Sequence, residues 1–272
     1  MVSCRTSDGL QLHGLFRRQG DVVLMHTHGT ASAFGIESFE ADLDRWAGEN
    51  GIGFITCNNR GAHVMEDWQK SGAALEKFSE SPSDFQAWIS LLKKMGVGRV
   101  ILSGHSLGTE KIAHFVRKFD TPQVVSALLL APSDSPGCQR RWEREEGLDL
   151  MQDAKAMINR GRKGELLDNQ LAHAGLLPMS AEAYMDFFGP ESPLREALPL
   201  GGESVEGFNI PVLALIPDDD VWNLTSAKNY RETLNKAGVN AAVCRTDHDF
   251  SEFDLTGTLM KLGDHIIGGL NI

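Results

Sequence analysis

Ser106 stands between two glycines in the run GHSLG, residues 104–108. The apolar, β-branched run RVILSG leads into it, and the helix-like pattern LGTEKIAHFVRKF follows at once. G-x-S-x-G at a strand-to-helix junction predicts a tight turn that strains the serine backbone and lifts its hydroxyl above a sheet edge. Side chains at Gly104 and Gly108 would collide with the neighbouring strand and helix. The helix that begins there aims free N–H groups and a positive dipole end at the same spot, which suits an oxyanion. The chemistry open to such a serine is nucleophilic attack on a carbonyl carbon.

A serine hydroxyl is a poor nucleophile near neutral pH, so it needs a base and a carboxylate to orient that base. The base must follow Ser106 in the chain and stand at the carboxyl end of a strand. His248, after the run NAAVCRT, meets both conditions. His114 lies inside the helix after the serine, His173 in a later helical insertion and His265 in the last helix. For the acid, PVLALIPDDDVW offers Asp218, Asp219 and Asp220 directly after a strand, and a resemblance to the strand–Gly–acid–x–Asp spacing usual in enzymes with such an elbow would place it at Asp220. Asp134, after the strand VVSALLLA, is the competing candidate. Asp247 and Asp249 flank the histidine, where neighbours in an extended loop point apart. The oxyanion donors expected are the backbone N–H groups of Leu107 and of Thr30, the latter in HTHGT at the end of DVVLMHT. Gly29 would let that backbone come close.

His26 and His28 alternate as metal ligands on a strand can, but Gly29-Thr30-Ala31 follows where further ligands would be needed. No phosphate-binding G-x-x-x-x-G-K-[ST] loop is present, and GVGRVI lacks dinucleotide spacing. Neither a metal nor a cofactor is expected.

These groups need a sheet to hold them. Strand and helix patterns alternate from the hairpin around Asp8-Gly9 to VVSALLLA, which predicts an α/β fold with a mostly parallel, eight-stranded sheet covered on both faces. The alternation stops near Ser135 and resumes at Ile210, with helical patterns from Leu148 to Asn159 and from Ala181 to Phe188 between. The organisation expected is a core of residues 1–134 and 208–272 with a helical cap, 135–207, inserted over the carboxyl edge of the strands, where such sheets bind ligands. Of the aromatic and methionine side chains of the cap, Met151, Met157 and Met179 among them, some must bury the cap on the body, and a methionine-rich remainder would suit a plastic apolar pocket with Trp222 as another possible wall. In the excursion 63–82, Trp68 and Phe78 either line that pocket or pack on the body.

The chain has 272 residues, 42% of them apolar, and a net charge of −11, which excludes nucleic acid as a natural partner. The polar start MVSCRTSDGL has no signal-peptide core, and no apolar run spans a bilayer. Four scattered cysteines fit a reduced, cytoplasmic protein.

On HTHGT, NNRG at 58–61, GHSLG, PVLALIPDDD and the late His248, the chain resembles the α/β-hydrolase superfamily over nearly its whole length. NNRGAH, SGAALEKFSESPSDFQAWI and GHSLGTEKIAHF resemble a group of soluble bacterial hydrolases, itself similar to siderophore-esterase-like proteins. The resemblance implies a serine hydrolase acting on a small, apolar-leaning ester, lactone or thioester through an acyl-serine. The same motifs would serve an acyltransferase, thioesterase or cyclase, or a small-ligand receptor on the same scaffold. Pro217 stands where many relatives have glycine, and Asn58 where many have aspartate. Arg60 reads as a structural brace.

Overall fold

The computed structural model describes residues 1–168, 171–201 and 207–270. The hairpin expected around Asp8-Gly9 joins β1 (Val2–Arg5) to β2 (Gln11–Arg17), with Val2 opposite Gly14. The other strands are β3 (Val22–Thr27), β4 (Gly53–Cys57), β5 (Arg99–His105), β6 (Val124–Leu130), β7 (Val212–Asp219) and β8 (Asn240–Asp247). They form one eight-stranded sheet in the order β1-β2-β4-β3-β5-β6-β7-β8. β2 meets β4 antiparallel, and every pair from β4 across to β8 is parallel.

β3 and β4 are buried along their whole length, as central strands covered on both faces must be. The period of two sorts their side chains. Val23, Met25, Val100 and Leu102 face Phe85, Trp88 and Phe115 on one side of the sheet. Val22, Leu24 and Ile101 face Leu43, Trp46 and Leu259 on the other.

The covering helices are α1 (Glu40–Glu49), α2 (Pro82–Lys94), α3 (Leu107–Lys118), α4 (Ser135–Glu146), α5 (Leu150–Asn159), α6 (Ala181–Phe188), α7 (Ala227–Lys236), α8 (Leu255–Leu262) and α9 (Asp264–Ile267). α1 starts later than the amphipathic pattern suggests, because the Glu40 carboxylate accepts the Gly35 N–H and stabilises a turn in place of a first helical turn. α4 escapes the pattern altogether. Its sequence, SPGCQRRWEREE, is too charged to show a clear apolar period, and its start is fixed by Asp134, whose carboxylate accepts the Gly137 N–H.

Helices α5 and α6 pack Leu150, Met157, Tyr184 and Phe187 with Met179, and with Ala74, Phe78 and Leu107 of the body. Phe78 is therefore a packing residue, whereas Trp68 is 67% exposed. Two of the cap methionines take the packing role. Met157 and Met179 fill the space between these helices and do not line the pocket described below. Residues 169–170 and 202–206 of the expected cap lie outside the described residues. Among the described residues, no helix is long and apolar enough to cross a membrane.

Arg60 is a brace, as read. Its side chain donates to Asp84 at 2.9 Å and to Glu80 at 2.5 Å, and its N–H donates to Asp84 at 2.8 Å. Asn58 accepts the Phe34 N–H at 2.8 Å, so the amide takes a backbone donor of the loop before α1.

Candidate active site

β5 ends at His105, α3 begins at Leu107, and Ser106 between them has φ 52° and ψ −124°. This backbone region is costly for any residue with a side chain, by about 1–3 kcal/mol. The glycines explain how the turn closes. A Cβ on Gly104 would meet the Gly108 carbonyl at 2.7 Å, and one on Gly108 would meet the Thr27 and His28 carbonyls at 2.9 Å. A Cβ on Gly29 would sit 3.0 Å from that of Ser106, so the HTHGT loop reaches the serine only because Gly29 has none.

Asp220 and His248 come together, with Oδ2 2.7 Å from Nδ1. Both follow adjacent parallel strands, β7 and β8, which is why residues far apart in sequence meet. The other Asp220 oxygen accepts the Trp222 N–H at 2.8 Å, which fixes the carboxylate. Two of the competing acids are engaged elsewhere. Asp218 accepts the Thr246 N–H, Asp134 caps α4, and Asp219 is exposed at the end of β7.

Ser106 and His248 line a single cavity of about 410 Å³. With Nδ1 held by Asp220, Nε2 is the ring nitrogen left to take a proton. Among the described residues, no hydrogen bond joins the Ser106 hydroxyl to the imidazole. Such bonds commonly tighten only when substrate is present. Thr30 lines the same cavity, and Leu107 opens α3 beside it.

His26 and His28 serve the fold. His28 Nδ1 donates to the Gly29 carbonyl at 2.8 Å and its Nε2 accepts the Asn59 N–H at 3.2 Å, which defines a neutral ring. Burial pushes its pKa down to about 4. The ligand atoms of His26, Glu37 and Glu40 lie within 4.8 Å of one another, but His26 is bonded to Glu37 at 2.7 Å and lies 3.0 Å from the Ser103 hydroxyl.

Glu37, His105 and His173 also line the cavity, and no motif marks their roles. His173 comes from the inserted segment, and its Nε2 lies 3.2 Å from the Thr30 hydroxyl. Burial pushes its pKa down to about 4, so the ring is neutral. Its φ is 44° and that of Ala174 is 55°, and the Ala174 N–H is held by Gln139. Strained backbone thus marks both walls of the cavity, at Ser106 and at His173-Ala174, a pattern typical of functional sites. The spacing of a strained, non-glycine pair leaves no trace in sequence, which is why His173 passes as an ordinary cap histidine.

No protein-family model and no curated protein sequence matches the chain. Solved structures do. The α/β hydrolase GrgF from Penicillium sp. sh18 aligns with a TM-score of 0.68 at 16% identity, over 97% of this chain and 96% of its own. The Pyrococcus furiosus esterase Pf2001 gives 0.63 at 14%, over 97% and 88%. Est1E from Butyrivibrio proteoclasticus, solved with ferulic acid bound, gives 0.62 at 14%, over 97% and 99%. These alignments run along nearly the whole chain, and they show that this protein has the α/β-hydrolase fold.

Proposed function

We propose that this protein is a serine hydrolase that cleaves a carboxylic ester, lactone or thioester through an acyl-serine. One observation carries the reading: a serine at a strained elbow shares a cavity with an imidazole already oriented by a carboxylate. Ser106 Oγ attacks the carbonyl carbon while His248 Nε2 takes its proton. Asp220 holds the ring in the needed tautomer and stabilises the imidazolium that forms. The Thr30 and Leu107 N–H groups receive the developing oxyanion. His248 then gives its proton to the leaving group, and water, activated by the same ring, releases the acid.

The residues 135–207 act as the cap of this site and contribute Cys138, His173, Ala174 and Leu176 to its wall. The lining favours a neutral substrate. Glu37 and Asp249 contribute the ionisable acids and, among the described residues, no lysine or arginine lines the cavity to receive a carboxylate or phosphate. Ile36 and Leu176, 68% and 50% exposed, give the mouth an apolar rim. A small ester with an apolar or aromatic portion fits this wall, and the esterase and ferulate-bound neighbours support the choice. The resemblance to siderophore-esterase-like proteins rests on the sequence motifs.

A panel of p-nitrophenyl esters and lactones, run on the wild type and on Ser106→Ala, tests the proposal. Turnover should vanish in the variant while its circular dichroism is unchanged. Full activity in Ser106→Ala would end the reading. Product analysis with competing alcohols and amines separates hydrolysis from acyl transfer.

A further inference from the structure

Glu37 and His105 make contacts that the proposed chemistry does not use. Glu37 Oε1 accepts the Gly29 N–H at 3.1 Å and faces His105 Nδ1 at 2.9 Å, and Oε2 faces His26 Nε2 at 2.7 Å. His105 Nε2 lies 2.9 Å from the backbone carbonyl of His248. The two residues therefore touch the HTHGT loop, the elbow and the loop that carries His248.

The partners dictate the protonation state. Both nitrogens of His105 face acceptors, a carboxylate oxygen and a carbonyl oxygen, and a carbonyl never donates. A neutral ring would leave one nitrogen lone pair against an oxygen lone pair. With Glu37 ionised, its carboxylate held by two histidines and the Gly29 N–H, His105 needs both protons. Both side chains are buried, at 5% and 8% exposure, so the resulting cation sits beside its counter-ion with little water to screen it.

We propose that Glu37 and His105 form a buried ion pair that positions three parts of the site at once: the oxyanion loop through Gly29, the nucleophile through the elbow, and the base through the His248 carbonyl. The inference rests on the serine-hydrolase reading for its kinetic consequences, though not for the ion pair itself. Neither residue touches the reacting atoms in this scheme. Both are positioning residues.

The surroundings agree. Burial disfavours the imidazolium, but the Glu37 carboxylate outweighs it, and the His105 pKa is raised above its ordinary value. Burial likewise disfavours ionised Glu37, and the two histidines more than offset that, so its pKa lies well below the usual range. The other groups facing His105 are the rings of Phe39 at 5.0 Å and Phe250 at 6.4 Å, the ring of His248 at 4.9 Å, and the Asp249 carboxylate, which also favours the cation. His248 becomes a like charge once it takes the serine proton. Glu37 offsets that repulsion.

The sign of the pH dependence follows. A raised histidine pKa gives a contribution that is complete at low pH and lost as pH rises through the folded value. The rate should thus fall on the alkaline side as His105 loses its second proton. In Glu37→Gln the cation loses its counter-ion, so the alkaline limb should move toward acid by about 1–3 pH units. Misplacement of the loops should lower kcat on the order of 100-fold with KM little changed. Glu37→Asp keeps the charge and should move the limb back toward that of the wild type. Profiles of the wild type and Glu37→Gln that superimpose overturn the proposal.

A second measurement stands apart from turnover and from the folding of any Glu37 variant. Imidazole ¹⁵N shifts recorded on the wild type and on Ser106→Ala at neutral pH should show His105 protonated at both nitrogens. A neutral ring in these spectra overturns the ion pair. If Ser106→Ala keeps its activity, the hydrolase reading falls, and the ¹⁵N shifts still decide the ion pair.

Discussion

Two buried charge networks flank the start of α3, and they differ in kind. Below the elbow, Lys111 Nζ donates to Glu76 at 2.6 Å and to Asn59 at 2.9 Å. Asn59 in turn donates to the Thr27 hydroxyl and the His28 carbonyl, so this network underpins the HTHGT loop from the protein interior. Beside the cavity, Glu37 and His105 hold the same loop from the other side. The interior network pairs a lysine with a glutamate whose pKa burial raises. The cavity network uses histidine, which titrates near neutral pH. The fold is thereby braced by an ammonium–carboxylate pair joined to an amide, and the site by an imidazole–carboxylate pair joined to a backbone carbonyl.

The largest effect expected belongs to neither network. Ser106→Ala removes the nucleophile and should lower kcat on the order of a million-fold, with both networks and the fold intact. Steady-state kinetics beside a thermal melt check both halves of that statement. The next effect tests the interior network. Lys111 is fully buried and Glu76 is 1% exposed. Lys111→Met leaves an uncompensated carboxyl in the core and should destabilise the protein by about 3–5 kcal/mol. Lys111→Met with Glu76→Leu should recover most of that loss, because both polar partners then go together. Chemical denaturation of the single and double variants decides it. A double variant no better than the single would mean that Asn59, not the charge pair, is what Lys111 serves.

How legible this was varied with the kind of signal. The sheet, the elbow and the meeting of Asp220 with His248 follow from local patterns: β-branched runs, a glycine-flanked serine, acids after a strand. Each is a short stretch whose meaning is set by its own chain neighbours. Glu37 is different. It lies in FGIESFEADL, which reads as one amphipathic helix, and its role depends on a turn created by Glu40 and Gly35. His105 is the variable position of G-x-S-x-G, and nothing in the motif says what it must bond. His173 is placed by a strained turn inside an insertion. α4 was hidden by its own charge. In each case the information lies in contacts between segments, which periodicity and spacing do not carry.

A smaller effect sharpens the contrast between histidines that are neutral and the one that is charged. His173 is held neutral, its pKa pushed by burial from 6.5 to about 4. As pH falls through 6.5 the unfolded chain takes up a proton that the native state refuses, so stability is lost down to about pH 4. The raised His105 works in the opposite direction, losing its contribution as pH rises. His173→Phe removes the acid-side term. Relative to this variant, the wild type should lose up to about 3 kcal/mol between those limits. The difference between the two proteins isolates His173, because Glu110, buried and pushed up to about 8, titrates across part of the same range. Denaturation series at several pH values check it. Curves that stay parallel would mean that the ring is charged in the native protein.

The smallest effect concerns the strain that separates the elbow from the rest of α3. At an ordinary position glycine is less stable than alanine by roughly 0.5–1 kcal/mol, because it loses more backbone freedom on folding. At φ 52° and ψ −124° the order should reverse. Alanine carries the same Cβ clash as serine, while glycine has none, and the relief of about 1–3 kcal/mol exceeds the entropy term. Ser106→Gly should therefore unfold at a higher denaturant concentration than Ser106→Ala, although both are inactive. The comparison needs no substrate and no knowledge of the reaction. If alanine proves the more stable of the two, the turn holds no strain at residue 106, and the hydroxyl is presented by the flanking glycines alone.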